Sequence, residues 1–356
     1  MKRQRMILGV VAALGLCSAA VLWAVNFQLV QVISSADIQK ASWPSSSVTW
    51  SLGPDNLNVD SSGGGSVTAA LTSAFTAWQG VTYSGTWQGS PYTSAALNTL
   101  AFTQGAGSLA TDYNGADCVN TLGFDQELST GIVALTGMTY AVTITPGSPA
   151  GNYTCTAPPT TRTCPNQVCI IDADVEFSTR YRFSTYAGAP STEYDLQTVA
   201  THEIGHMIGL DHSGIAHAVM FPYGDTTQIG TVKTLTVDDE IGSGVLYPTS
   251  ASQSLFGTIN GTVTVGDNPA FGTHVVAIDS TTGNAITDTL SDPNGNYTLT
   301  VVEGSYYVLV LPLASDTSGD SSTNGVTGYA NYSGWANGYP SLGGNDVQYL
   351  FTGTYY

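Results

Sequence analysis

One stretch, residues 202–223 with the sequence HEIGHMIGLDHSGIAHAVMFPY, restricts the fold and chemistry of this chain more than any other. His202 and His206 are four residues apart, so on a helix both imidazoles project from one face and can bind one metal ion. Gly209 lets such a helix end and turn, after which His212 supplies a third imidazole. The pattern predicts a helix, a glycine turn and a metal centre built from three histidines.

Three protein ligands leave one coordination position open, which is typical of catalytic zinc, whereas structural zinc is usually closed by four ligands. Glu203, beside the first histidine, is placed to act as a base for water at the metal. Met220 lies in a short apolar run, where a turn can pass beneath the metal. The extended H-E-x-x-H-x-x-G-x-x-H pattern followed by a Met-turn is far more demanding than its first five residues alone. We therefore expect one catalytic zinc ion.

The stretch resembles the metzincin zinc endopeptidases and, within them, the matrixin branch that includes the matrix metalloproteinases. The likeness is carried by Asp211-His212-Ser213 at the third ligand, Met220-Phe221-Pro222 at the Met-turn, and residues 235–248, which resemble the closing helix. The resemblance implies roles for five residues: zinc ligands His202, His206 and His212, general base Glu203, and Met-turn residue Met220.

The resemblance also implies an α+β fold for residues 48–250, with a twisted mixed sheet, long helices and zinc in the cleft. Pro222 and Tyr223 resemble the wall of the substrate pocket, although the family usually has one residue between them. Family members are often held latent by a propeptide cysteine on the zinc. No cysteine lies between Cys17 and Cys118, so we do not expect that switch here. We expect residues 26–47 to form a short linker and not a folded propeptide.

Local patterns predict several elements of this domain. Residues 48–52 alternate like a half-buried strand, and Ser66 is suited to cap a helix over about residues 67–79. The apolar positions of that helix form one stripe: Ala70, Leu71, Ala74, Phe75 and Trp78. Further strand-like runs are residues 99–103, 131–135, 138–145 and 169–177. In this fold class one exposed edge strand accepts the substrate peptide, but the sequence does not indicate which.

The strand-like run 169–177 carries acids at alternate positions, Asp172, Asp174 and Glu176. Two interpretations are open, a calcium site and a solvated strand face. The run lacks the His-Phe-Asp-x-Asp-Glu sequence that supplies structural zinc and calcium ligands in the animal enzymes. Zinc is therefore the cofactor we expect, with calcium as a second candidate.

Charge and the N-terminal segment indicate an exported protein. Acidic residues outnumber basic ones 26 to 8, which argues against nucleic acid or an anionic membrane surface as a partner. Lys2, Arg3 and Arg5 precede an apolar run over residues 6–25, as in a signal peptide. Because that run can also span a bilayer, a cleaved signal and an N-terminal anchor both remain open for residues 1–25. In either case we expect a secreted or cell-surface protein.

Four cysteines follow the apolar segment, Cys118, Cys155, Cys164 and Cys169. An even number in an exported chain predicts two disulfides, and four cysteines allow three pairings. A second metal site is the competing interpretation, but the spacings lack the paired C-x-x-C form.

The character of the chain changes after Pro248. Residues 253–313 resemble the carboxypeptidase regulatory-like, transthyretin-type β-sandwich, an all-β module. Asp292-Pro293-Asn294-Gly295-Asn296 predicts a hairpin turn, followed by strands over residues 297–302 and Tyr306–Leu311. Residues 314–356 form an extension rich in Gly, Ser and Tyr.

Two functions from different classes follow from these features. The first is a secreted zinc-dependent endopeptidase that hydrolyses extracellular proteins or peptides. The second is a non-catalytic, zinc-containing surface adhesion or scaffold protein. The intact Glu203 favours the enzyme, since a chain without turnover has no need of that carboxylate. The oligomeric state is not predicted.

Overall fold

The computed structural model describes these residues: 21–24, 30–34, 37–53, 58–105, 117–124, 126–143, 145, 148–156, 159–187, 190–215, 217–221, 233–270, 272–292, 294–311 and 354–355. Pro222 and Tyr223, expected at the pocket wall, lie outside the described residues, as does the C-terminal extension except for residues 354–355.

Strands outnumber helices in the described part of the chain, where one helix follows β5 and three helices stand between β15 and β16. Its strands are β1 (Val21–Ala24), β2 (Val30–Ser34), β3 (Asp37–Lys40), β4 (Ser47–Leu52), β5 (Val59–Asp60), β6 (Ser84–Trp87), β7 (Ser90–Thr93), β8 (Ala101–Gln104), β9 (Asn120–Gly123), β10 (Ala134–Val142), β11 (Gly151–Thr156), β12 (Pro159–Cys164), β13 (Val168–Phe177), β14 (Phe183–Ser184), β15 (Tyr194–Asp195), β16 (Gly257–Thr262), β17 (Thr264–Val265), β18 (Asn268–Pro269), β19 (His274–Asp279), β20 (Ala285–Leu290), β21 (Asn296–Val301), β22 (Tyr306–Leu311) and β23 (Thr354–Tyr355). Its helices are α1 (Val67–Trp78), α2 (Leu196–Met207), α3 (Val237–Leu246) and α4 (Ser250–Leu255).

A five-stranded mixed sheet in the order β10-β13-β9-β4-β8 forms the centre of the first half of the chain. Strands β13, β9, β4 and β8 run parallel to one another, whereas β10 pairs antiparallel with β13. All ten residues of β13 are buried, as expected for a strand covered on both faces. The architecture is therefore α+β with a mixed sheet, and β10 is an edge strand.

Helices α1 and α2 share one apolar cluster with the sheet. The predicted helix after Ser66 is confirmed: the Ser66 side chain accepts from the backbone N–H of Ala69, and the predicted apolar stripe is buried. Phe75 of this helix stacks on Trp50 of β4 with ring centroids 4.6 Å apart. The indole N–H of Trp78 donates to the Thr201 carbonyl of α2 at 2.8 Å. Packing of α1 thus fixes α2 over the sheet.

Three of the predicted strands match β4, β8 and β13 closely, but two others are one strand. The runs 131–135 and 138–145 were expected to be divided by glycine. Instead Gly137 pairs with Asp174 inside β10, which continues to Val142 with an irregularity between Thr139 and Tyr140. Pairing along the whole length of β13 compensates for the weak strand preference of glycine.

The acids of β13 are not solvated, so that interpretation is wrong. Asp172, Asp174 and Glu176 are each exposed by 2% or less. Asp174 accepts the N–H of Thr121 at 2.7 Å, and Glu176 accepts the N–H of Gln126 at 3.0 Å. Backbone amides of β9 and of the chain that follows it thus provide partners that stabilise buried carboxylates.

The four cysteines form two disulfides, Cys118–Cys155 and Cys164–Cys169. They tie the hairpin of β11 and β12 at both ends, because Cys155 and Cys164 lie on its two strands. The even cysteine count predicted the bonds, while the pairing depended on which residues the sheet brings together.

Beyond α4, two sheets share an apolar cluster. One has the order β20-β19-β22-β23 and the other pairs β16 with β21. A turn forms at residues 292–296, where Asp292 Oδ1 accepts the N–H of Asn294 and of Asn296, both at 2.8 Å. The predicted hairpin is wrong, because β20 and β21, on the two sides of this turn, belong to different sheets. The cluster gives this part of the chain its own apolar core, separate from that beneath α2.

The N-terminal part contains strands where a linker was expected. Strands β1, β2 and β3 form a small antiparallel sheet. Among the residues whose structure is described, no helix is long and apolar enough to cross a membrane.

Candidate metal centre

The helix that carries the first two histidines, α2, begins at a well-defined cap. Asp195 Oδ1 accepts the backbone N–H of Thr198 at 2.8 Å and its hydroxyl at 3.0 Å. Lys233 Nζ lies 2.8 Å from Asp195 Oδ2, and the Asp195 side chain is 2% exposed. A capping aspartate satisfies N–H groups that have no partner within the helix, so the start of α2 is fixed before the metal ligands.

The three histidines named from the sequence converge on one point. The Nε2 atoms of His202 and His206 lie 3.1 Å apart, and those of His206 and His212 lie 3.2 Å apart. Nitrogens bound to one tetrahedral zinc at about 2.0–2.1 Å are separated by about 3.3 Å. The spacing and the donor set therefore fit a zinc ion.

In two of the imidazoles, the contacts at Nδ1 favour the neutral tautomer, which can bind a metal through Nε2. His202 Nδ1 lies 2.7 Å from the Val219 carbonyl, and His206 Nδ1 lies 2.9 Å from the Leu210 carbonyl. Because a carbonyl oxygen only accepts, each Nδ1 carries the proton and each Nε2 keeps its lone pair. Burial lowers the pKa of His206 to about 3, with a further contribution from His202. Neutral imidazoles are the form that binds a metal.

The turn that returns His212 depends on a glycine. Gly209 has φ of +100°, a conformation that side-chain-bearing residues rarely adopt. A Cβ at this position would lie 2.4 Å from the carbonyl oxygen of Ala41. Two further side chains contact the end of α2: the Trp43 indole N–H donates to the Met207 carbonyl at 2.8 Å, and the Tyr247 hydroxyl donates to the Ile208 carbonyl at 2.7 Å.

Met220 lies directly beneath α2 and is fully buried. A Cβ built on Gly205 of α2 would lie 2.1 Å from Met220 Sδ, so glycine there allows the close approach. The backbone N–H groups of Val219 and Met220 donate to the two oxygens of Asp239, at 2.9 and 3.1 Å. Helix α3 thus holds the turn through one carboxylate.

Glu203, on α2, is buried where this helix meets the edge strand β10, with 6% of its surface exposed. The hydroxyl of Thr136 on β10 lies 2.6 Å from Glu203 Oε2 and 3.0 Å from the Glu203 carbonyl oxygen. Burial raises the pKa of Glu203 to about 7, and the hydrogen bond from Thr136 opposes that shift. A carboxyl group with a pKa near 7 is suited to exchange protons at neutral pH.

The model of the matrixin family matches residues 42–248 of this chain, which is more than half of its 356 residues. The chain belongs to the matrixin family. The match begins next to Trp43 and ends at Pro248, so it includes the residues that contact the end of α2.

Several curated proteins are similar to part of this matrixin. Metalloendoproteinase 1-MMP from Arabidopsis thaliana is 48% identical over 61 residues, which is 17% of this chain and 16% of that protein. Karilysin from Tannerella forsythia is 45% identical over 60 residues, which is 16% of this chain and 12% of that protein. Metalloendoproteinase 5-MMP from A. thaliana is 56% identical over 32 residues, 9% of each chain. The matched part of this matrixin spans less than a fifth of each relative.

His217 lies in the loop between His212 and Met220, apart from the other three histidines of this matrixin segment. His217 is exposed, and it does not join the group formed by His202, His206 and His212. Within the described ranges, no other group of three or more His, Cys, Asp or Glu side chains converges as metal ligands would. The acids of β13 therefore give calcium binding no support.

Three supporting residues of this site were missed by the sequence analysis. Thr136 has no local signal, because its contact with Glu203 depends on the register of β10. Trp43 was placed in a linker, although its indole contacts the end of α2. Gly205 falls at a variable position of the histidine motif, so only the packed Met220 reveals the need for a small residue.

Proposed function

We propose that this matrixin is a zinc-dependent endopeptidase that hydrolyses peptide bonds in extracellular proteins. The convergence of three imidazole nitrogens within 4.8 Å of one another is the observation that carries the proposal. His202, His206 and His212 would hold the zinc through Nε2. Zinc in such a site supplies a Lewis acid that activates water and polarises a carbonyl.

Glu203 is the proposed general base. Its carboxylate takes a proton from the attacking water and delivers it to the nitrogen of the leaving amine. The pKa of about 7, raised by burial, supports both steps, since a group of that pKa gains and loses a proton readily near neutral pH. Thr136 holds the carboxylate in one orientation through its hydroxyl. Met220 supports α2 from below, as the proposed Met-turn residue.

Strand β10 is the proposed docking edge for the substrate. It is the end strand of the mixed sheet, and Thr136 connects it directly to Glu203. An extended peptide can add to such an edge through main-chain hydrogen bonds, which aligns the scissile bond without reading its sequence. Leu135, beside Thr136, is 37% exposed and offers apolar surface to a bound side chain. Pro222 and Tyr223 remain the proposed pocket wall on the resemblance alone.

The proposal also includes export of the protein and its division into two domains. The basic and apolar N-terminal segment, the acidic charge and the two disulfides support a secreted or cell-surface protein. Residues 48–250 form the proposed peptidase domain, extended to residue 42 by the family match. Residues 253–313 form a proposed accessory β-sandwich, supported by their own apolar cluster.

Replacing Glu203 tests the assigned chemistry. Glu203→Ala removes the base but none of the imidazole ligands, so zinc should remain bound at one ion per chain. Cleavage of unfolded casein should fall by a factor of at least about 10², as expected for loss of a general base. Zinc content is measured on the same sample, which separates loss of metal from loss of the base. Cleavage by Glu203→Ala at the unmodified rate would contradict the proposed mechanism.

A further inference from the structure

Strand β20, in the C-terminal pair of sheets, contacts the loop that leads from the third histidine to Met220. Asp288 Oδ2 accepts the backbone N–H of Gly214 at 3.0 Å. Gly214 lies two residues beyond His212. The same carboxylate oxygen lies 3.0 Å from His274 Nε2 on β19. With Asp288 5% exposed and His274 1% exposed, the contact is shielded from water.

Helix α3 holds the same loop at its two ends. The Ser213 hydroxyl donates to Asp238 Oδ2 at 2.5 Å, and the N–H groups of Val219 and Met220 donate to Asp239. Of the three carboxylates that hold the loop, Asp288 alone comes from outside the matched matrixin range 42–248. The contact next to His212 is therefore shared between the two parts of the chain.

Burial makes this contact costly to lose. Removal of the Asp288 oxygen would leave the Gly214 N–H buried without its partner, at a cost comparable to a full desolvation penalty. Burial lowers the pKa of His274 to about 3, so its ring is neutral at physiological pH. A neutral ring can donate its Nε2 proton to Asp288, which holds the carboxylate towards Gly214.

We propose that Asp288 is a positioning residue for the metal centre, because it fixes Gly214 and thereby the chain that presents His212. The inference rests on the proposed zinc site. It makes the C-terminal sheets part of the unit that binds the metal, and not a module that is merely attached to it.

Zinc affinity of the full chain tests the inference. Asp288→Leu removes both oxygens and keeps the branched shape of the side chain, and zinc Kd should rise about tenfold, as for loss of an outer partner of a metal site. Asp288→Asn keeps an acceptor for Gly214, so its Kd should stay close to that of the unmodified chain. Leu299→Ala, in the apolar cluster of the C-terminal sheets, is the control for lowered stability alone. Kd is measured by competition with a chromogenic zinc chelator.

Hydrogen exchange at the Gly214 amide gives a second readout, on metal-free protein. The amide should exchange faster in Asp288→Leu and at the unmodified rate in Leu299→Ala. Should Asp288→Leu not fold, Asp288→Ala removes the same oxygens without adding bulk, and the same results are expected. A folded Asp288 variant with unchanged Kd and unchanged exchange overturns the inference, as does an equal loss of affinity in Leu299→Ala.

These experiments distinguish failure of the positioning role of Asp288 from failure of the proposed peptidase activity. Neither readout uses peptide hydrolysis. A chain that binds zinc but cleaves no peptide would therefore count against the peptidase, whereas Asp288 would still be judged by zinc affinity and exchange.

Discussion

The hydroxyl of Thr136, on the edge strand β10, lies 2.6 Å from the carboxylate oxygen Oε2 of Glu203, on helix α2. The contact connects the proposed substrate edge to the proposed base. It also compensates in part for burial of the carboxylate, since the hydrogen bond from Thr136 lowers the Glu203 pKa against desolvation.

Thr136→Val should reduce catalysis while leaving the fold intact, because it removes the hydroxyl and keeps the branched shape. A hydrogen bond to a charged group is worth about 1.5–3 kcal/mol, so kcat/KM should fall by about tenfold or more. Thr136→Ser keeps the hydroxyl and should retain most of the activity. Equal kcat/KM values for the valine and serine variants would show that the hydroxyl does not position the base.

Gly209→Ala should destabilise the chain more than Gly80→Ala does. Both glycines have positive φ, +100° and +61°, so both alanines are strained by about 1–2 kcal/mol. Only at Gly209 does the new Cβ also meet a backbone atom, the Ala41 carbonyl oxygen at 2.4 Å, whereas nothing lies within 4 Å at Gly80. Urea unfolding of the two variants measures the difference. Equal free energies of unfolding would rule out close packing of Ala41 on the turn.

Trp43→Phe should weaken the end of α2, because it removes the indole N–H that donates to Met207 at 2.8 Å. Loss of a donor to a buried carbonyl costs about 1–3 kcal/mol. Thermal unfolding of the zinc-free chain measures this cost, which should appear as a lower Tm. An unchanged Tm would mean that residues 41–43 do not hold the helix, and would favour a domain that begins at residue 48.

Glu240 should make the stability of the chain depend on pH. Burial, together with the charge of Asp239, raises the pKa of Glu240 from 4.5 to about 8. The folded chain therefore holds this proton more tightly than the unfolded chain does. The contribution of Glu240 to stability is fully present below about pH 4.5 and is lost as pH rises through about 8.

Glu240→Gln removes that dependence. As pH rises from 5 to 9, the Tm of the variant should increase relative to the Tm of the unmodified chain. Asp267→Asn, at an exposed turn residue, makes the same carboxyl-to-amide change and serves as the control for the substitution itself. A constant Tm difference for Glu240→Gln across this range contradicts the shifted pKa.

The sequence predicted the features that depend on local pattern. Apolar positions three and four residues apart define the buried face of α1, and Ser66 caps it, because both are properties of a single helix. The histidine spacing likewise follows from helix geometry and one glycine turn. These are short-range constraints, which a chain carries wherever it folds.

Features that depend on sheet register or on contacts distant in sequence could not be predicted in the same way. Glycine at position 137 indicated a break, yet pairing with β13 carries β10 through it. The acids of β13 alternate as on a solvated face, but they are buried, and backbone amides of β9 and of the chain after it donate to two of them. Trp43 precedes the histidine motif and contacts Met207, while Asp288 follows it and contacts Gly214. No local sequence pattern indicates either contact.

Cleavage of unfolded casein by the purified full chain, with and without a zinc chelator, is the most direct test of the proposed function. We expect cleavage that the chelator abolishes and that added zinc restores. Absence of cleavage in a chain shown to hold one zinc ion, or cleavage that persists after the zinc is removed, would contradict it.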